Sequence, residues 1–250
     1  MKNDIDELFN QIVSARHCIA LTGAGVSTLS GIRDFRGKNG LYKDMDAEKI
    51  FDIDYFDKDP TFYYQAARAF IYNIHEKAAS VVHTVLGTLE NKGFLKALIT
   101  QNIDLLHQKG GSRRVIEIHG SPGIHYCRHC GDPSNSLMDF DRVAALVKAG
   151  DVPRCPQCSQ VLKPGITFFG ESLPVKALSD AESEARQADL MLVLGTSLTV
   201  YPAASIPHIT LRAGGRIVIV NNMETPLDRH ASLRFTDLGE VFEGLAALLT

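Results

Sequence analysis

Short apolar runs recur along this chain, and most of them stop abruptly at glycine or a polar side chain. Cys18–Leu21 ends at Thr22-Gly23-Ala24-Gly25, Ala97–Thr100 at Gln101-Asn102, and Val115–Ile118 at His119-Gly120. Leu190–Leu194 ends at Gly195-Thr196 and Ile217–Val220 at Asn221-Asn222. The runs are continuous rather than alternating, as expected of parallel strands covered on both faces. Between them, helical periodicity marks Asp6–Ser14, Val82–Asn91, Ser179–Gln187 and Pro202–Leu211. Strand and helix in alternation predict an α/β fold, a doubly wound Rossmann-like parallel sheet, whose ligands gather at the carboxyl ends of the strands.

Two stretches break the alternation. Residues 37–81 are rich in Phe, Tyr, Asp and Lys and read as a helical insertion. Residues 121–163 hold Cys127, Cys130, Cys155 and Cys158 and read as a zinc-ribbon insertion. Together they predict a smaller lobe, leaving 1–36, 82–120 and 164–250 as the sheet domain.

Two C-x-x-C pairs 24 residues apart point to one Zn²⁺ held by four thiolates. Such a site is tetrahedral and closed to substrate, so its expected role is structural. His125 and His129 are the alternative ligands nearby, and Cys18, alone in an apolar run, reads as a buried hydrophobe.

Composition narrows the class further. A net charge of -3, with 45% apolar and 22% charged residues, gives no basic excess for a nucleic-acid partner. The polar N-terminus lacks the pattern of a secretory leader, and no apolar run is long enough for a bilayer. A cytoplasmic protein without membrane contact is expected.

Gly23-Ala24-Gly25 alone is a weak cofactor signal, since Thr28 stands where G-x-G-x-x-G requires its third glycine. The longer run Gly23-Ala-Gly-Val-Ser-Thr-Leu-Ser-Gly-Ile-Arg-Asp-Phe-Arg36, however, resembles the sirtuin family. So do Thr100-Gln-Asn-Ile-Asp104, His119-Gly120, Phe168-Phe-Gly-Glu171, Gly195-Thr-Ser197 with Tyr201-Pro-Ala-Ala204, and Val220-Asn221, in the family's order.

The resemblance implies NAD-dependent removal of acyl groups from protein lysines. The acyl oxygen displaces nicotinamide from its ribose, and the acyl group ends on ADP-ribose. It makes NAD a co-substrate and acyl-lysine proteins or peptides the partners. His119 becomes the general base; by position alone it is one candidate among nine histidines. Gly23, Ala24 and Gly25 are implied to present amides to the diphosphate at a helix N-terminus, with the charge of Arg36 nearby; Phe35 is implied to cover the nicotinamide ribose, and Asp34 to contact the cofactor. Gln101, Asn102, Ile103 and Asp104 are implied to hold the ribose and carboxamide. Gly195, Thr196 and Ser197 meet phosphate or adenosine ribose, Asn221 meets that ribose, and Leu238 packs on adenine. Thr167, Phe169, Gly170 and Glu171 belong to a segment implied to pair with the substrate peptide as an added strand.

Three departures stand out. Arg33 replaces the family's usual proline and Thr167 a common valine. The Tyr-x-x-Arg pattern of the branch acting on acidic acyl groups is broken, because Arg68 is out of register with both Tyr63 and Tyr64. Simple acyl groups are therefore expected to be preferred. Mono-ADP-ribosyl transfer to protein and non-catalytic NAD sensing are the competing readings at this stage.

Overall fold

The computed structural model describes residues 2–34, 40, 47–130 and 137–250. Its centre is a six-stranded sheet in the order β3-β2-β1-β7-β8-β9. The strands are β1 (Cys18–Thr22), β2 (Leu95–Thr100), β3 (Val115–Glu117), β7 (Leu190–Leu194), β8 (Arg216–Val220) and β9 (Ala231–Phe235). Every pairing in it is parallel.

The continuous apolar runs serve both faces of this sheet. Cys18, Ala20, Leu192 and Val218 point into one core with α1 (Lys2–Ser14), α5 (Val81–Asn91) and α10 (Leu238–Leu249). Ile19, Leu21, Met191, Val193, Ile217 and Ile219 point into the other, with α8 (Val175–Gln187) and α9 (Ile206–Arg212). Residues alternate between the cores along each strand, so both sides must be apolar.

From β1 the sheet grows outward through β2 on one side and β7 on the other. The connections diverge there, opening a crevice at the strands' carboxyl ends. The predicted helix Pro202–Leu211 begins later, at Ile206, after a short 3₁₀ turn over Ala203–Ser205. Pro207, without an N–H to donate, sits in the first turn of α9.

The smaller lobe has its own core. α2 (Ala47–Ile50), α3 (Ile53–Lys58) and α4 (Pro60–Ala67) pack beside a three-stranded antiparallel sheet, order β5-β4-β6. Its strands are β4 (Gly120–Tyr126), β5 (Met138–Asp139) and β6 (Lys163–Ile166), with α7 (Phe140–Ala149) alongside. Phe51, Phe56, Tyr63, Tyr64, Tyr72 and Phe168 join Cys127 and Cys155 in one cluster. Edge-to-face contacts such as Phe56–Phe168, with centroids 5.3 Å apart, knit it together.

Candidate active site

The loops leaving β1, β2, β7 and β8 line one cavity of about 1070 Å³ with walls from both lobes. Gly23, Ala24, Gly25, Asp34, Gln101, Asn102, Ile103, Asp104 and His119 all border it. So do Gly195, Thr196, Ser197, Asn221, Leu238, Thr167, Phe169, Gly170 and Glu171. Phe35 and Arg36 lie outside the described residues.

Close backbone approach explains the glycines. A Cβ on Gly25 would stand 2.7 Å from the Gly195 Cα, and Gly195 itself has a φ of 58°. The Gly23 and Gly25 amides donate to the carbonyls of Leu194 and Gly195 at 3.0 and 2.9 Å. They therefore stitch β1 to β7 across the crevice. Of the three amides expected to face a diphosphate, only that of Ala24 has no backbone partner among the described residues. The helix that opens at this loop, Ala24–Ser30, is a 3₁₀ helix.

A compact polar network sits at the floor. Ser27 Oγ donates to Asp104 Oδ2 at 2.5 Å, and Asn102 Nδ2 donates to Ser27 Oγ and to the Gly23 carbonyl, each at 3.1 Å. All three side chains are buried. Ser27 stands inside the glycine-loop motif, but no local pattern marks it as part of this network. Gln101 Nε2 crosses the crevice to Thr196 Oγ1 at 3.0 Å. Leu105 and Leu198, just beyond these loops, hold φ values of 59° and 54°. Such left-handed non-glycine backbone costs of order 1 kcal/mol each and persists where the surroundings enforce it.

His119 lies in the short turn between β3 and β4 and is tied to this floor. Its Nδ1–H donates to the Gln101 carbonyl at 2.8 Å, which fixes the tautomer and leaves the Nε2 lone pair for the cavity. Burial lowers its pKa below 6.5, with the Gln101 hydrogen bond opposing in part. The imidazole is thus held neutral and able to take up a proton. Gly120 has a φ of 73°, and a Cβ there would stand 2.1 Å from the Gly165 carbonyl oxygen. Here β4 comes against β6, and the Thr167 amide reaches the His119 carbonyl at 2.8 Å.

The segment expected to pair with peptide is largely engaged within the protein. Phe169 donates to the Phe51 carbonyl at 2.6 Å and accepts from the Ile53 amide at 3.1 Å. The Glu171 carboxylate turns inward to Lys163 and the Phe168 amide. Asn221 Nδ2 donates to the Met223 carbonyl at 2.9 Å, holding its own loop. Arg33 also borders the cavity, and its guanidinium holds the Gly40 carbonyl at 3.1 Å.

The four paired cysteines converge away from this cavity. Their sulfurs all lie within 4.8 Å of one another, and Cys127–Cys158 and Cys130–Cys155 are each 3.6 Å apart. Tetrahedral Zn–S bonds of about 2.3 Å require sulfurs about 3.8 Å apart, so the set fits zinc. His125 is not a ligand: its Nε2 is bonded to the Tyr72 hydroxyl at 2.8 Å. Burial drives its pKa down to about 3. No cysteine of the set lines the cavity.

A parallel sheet with a switch-point crevice, a neutral histidine and a detached Cys₄ cluster defines a class, and comparison with known proteins gives it a family. A profile described as the Sir2 family matches residues 23–202, and the chain belongs to that family. It is 44% identical over 229 residues to an NAD-dependent protein deacetylase of Thermotoga maritima, covering 92% of this chain and 91% of that one. An NAD-dependent protein deacylase of Thermococcus kodakarensis is 42% identical over 210 residues, covering 84% and 81%. A solved Sir2 complex with a p53 peptide and NAD⁺ superposes with a TM-score of 0.87 at 40% identity, covering 98% of this chain and 97% of that one. A Sir2 bound to a propionylated peptide gives 0.85 at 39% identity, with the same coverage.

Proposed function

We infer that the chain is an NAD-dependent protein-lysine deacylase, with NAD consumed as co-substrate and one structural zinc. The observation carrying this is the His119 imidazole, neutral by burial and oriented by Gln101, on the wall of a cavity that also holds Asn102 and Asp104. That cavity, about 1070 Å³, suits a dinucleotide together with a lysine side chain.

In this reading the acyl-lysine oxygen displaces nicotinamide at the ribose carbon. His119 Nε2 takes the proton from a ribose hydroxyl, which attacks the acyl carbon; a water adds there, the carbon–nitrogen bond breaks, the lysine leaves as its amine, and the acyl group stays on the ribose as an ester. Asn102 and Asp104 offer side-chain oxygens as acceptors to the carboxamide, the Asn102 Nδ2 hydrogens being taken by Gly23 and Ser27, and Ser27 holding Asp104 in place. Ala24 offers its amide to the diphosphate, while Gly195, Thr196, Ser197, Asn221 and Leu238 receive the adenosine end. Phe35 and Arg36 keep the roles the family resemblance implies. Cys127, Cys130, Cys155 and Cys158 would hold the zinc, which would cross-link the smaller lobe as a structural ion. No helix among the described residues is long and apolar enough to cross a membrane.

Incubation with NAD and an acetyl-lysine peptide tests the activity. One nicotinamide should appear per lysine freed, and none without peptide. Because His119 must start neutral, kcat/KM should stay flat near pH 7 and fall only below the ordinary histidine value of 6.5. An acidic limb centred above pH 7 would refute the assignment.

The acyl end can be tested separately. Tyr63 and Tyr64 are buried in the aromatic cluster, Arg68 donates to the Lys148 carbonyl, and none of them lines the cavity. Ile32, Phe51, Phe70, Ile71, Ile74 and Phe168 line it instead. Acetyl and propionyl peptides should outpace succinyl peptides by on the order of tenfold or more, since burying an unpaired carboxylate is costly. A succinyl rate above the acetyl rate contradicts this.

A further inference from the structure

We propose that Lys163 and Glu171 form a positioning pair that shapes the peptide-docking edge of the cavity, so that breaking it weakens peptide binding and spares NAD. The inference rests on the deacylase reading above and assigns a role to a lysine outside the cavity wall.

Lys163 opens β6, and its side chain is 1% exposed. A buried ammonium is tolerated only when its N–H groups are met. All three are: they reach the Ile166 carbonyl at 2.7 Å, Glu171 Oε2 at 2.9 Å and the Pro164 carbonyl at 3.2 Å. The same nitrogen stands 4.3 Å from the centroid of Phe168, a cavity-wall ring. Glu171 Oε2 also accepts the Phe168 amide at 2.8 Å, and the Glu171 amide returns to the Phe168 carbonyl at 3.0 Å. Residues 164–171 are therefore folded around one charge.

That folding decides what the segment offers a peptide. With Thr167 bonded to His119 and Phe169 to residues 51 and 53, the exposed residue left at the turn is Gly170. Its φ is 91°, and it makes no backbone hydrogen bond among the described residues. Main-chain pairing with a peptide depends on such a group being held still. Without Lys163, the Glu171 carboxylate would keep only the Phe168 amide, and the turn would lose its anchor. The nucleotide-side loops after β1, β7 and β8 make no contact with the pair through any hydrogen bond described, so NAD binding should not follow.

The test compares wild type, Lys163→Met, Lys163→Arg and Glu171→Gln. Anisotropy of a labelled acetyl-lysine peptide reports peptide binding, titration calorimetry reports NAD, and steady-state kinetics report peptide KM. Lys163→Met should raise peptide Kd and KM on the order of tenfold while NAD affinity stays within about twofold. Lys163→Arg, which keeps the cation, should recover most of the loss. Glu171→Gln keeps an acceptor for the Phe168 amide and the turn with it, and should shift peptide affinity in the same direction by less. It remains the deciding variant if Lys163→Met does not fold. Unchanged peptide affinity in the folded variants overturns the proposal, as does a parallel loss of NAD binding in Glu171→Gln. A wild-type chain that neither binds nor deacylates the peptide overturns the deacylase reading instead.

Discussion

Replacing His119 by alanine is expected to cut deacylation by about 10²- to 10⁴-fold, the usual contribution of a general base. Among the described residues the ring makes one hydrogen bond, from Nδ1 to the Gln101 carbonyl, so its loss should leave the fold intact. NAD and acetyl-lysine peptide should both still bind, because neither Asn102 nor Asp104 depends on the imidazole. Single-turnover kinetics with saturating substrates separate the two effects. A variant that turns over within tenfold of wild type would remove His119 from the chemistry.

Removing zinc should produce the largest change in stability. Structural zinc contributes on the order of 10 kcal/mol to the folding of small zinc modules. Here the lobe also has an aromatic core, so the loss should be smaller but still several kcal/mol, or about 10 °C or more in Tm. Cys127→Ser and Cys158→Ser should each lose the metal, measured as one equivalent per chain in wild type by mass spectrometry. Deacylation should fall with it although no cysteine lines the cavity. The link is packing: Phe51 and Phe168 form cavity wall and belong to the same cluster as Cys127 and Cys155. Full activity in a zinc-free, chelator-treated enzyme would contradict this account.

The central sheet was legible because strands buried on both faces leave continuous apolar runs that end where ligands bind. β9 escaped notice for the opposite reason. Ser232 and Arg234 interrupt Leu233 and Phe235, as an edge strand with a half-exposed face permits. α10 carries a readable pattern in Val241, Phe242, Leu245 and Leu249 behind the Asp237 cap.

At the site, motifs marked the right loops but not how their atoms are shared. The Ser27–Asn102–Asp104 network joins residues more than 70 apart through the β1–β2 pairing, which no local pattern encodes. The glycine loop looked like an amide cradle, whereas two of its three amides are used to close β1 against β7. Glu171 lines the cavity as expected, but its carboxylate is also tied to the buried Lys163 ammonium, a partner that the motif does not reveal. In each case side chains or carbonyls distant in sequence compete for groups that a motif treats as free.

The fate of the acyl group tests the central claim most directly. With isotopically labelled acetyl-lysine peptide and NAD, mass spectrometry of the products should find the label on ADP-ribose, with equal amounts of nicotinamide and free lysine peptide. Label released as free acetate while NAD stays intact, or ADP-ribose attached to protein with the peptide still acetylated, would contradict it.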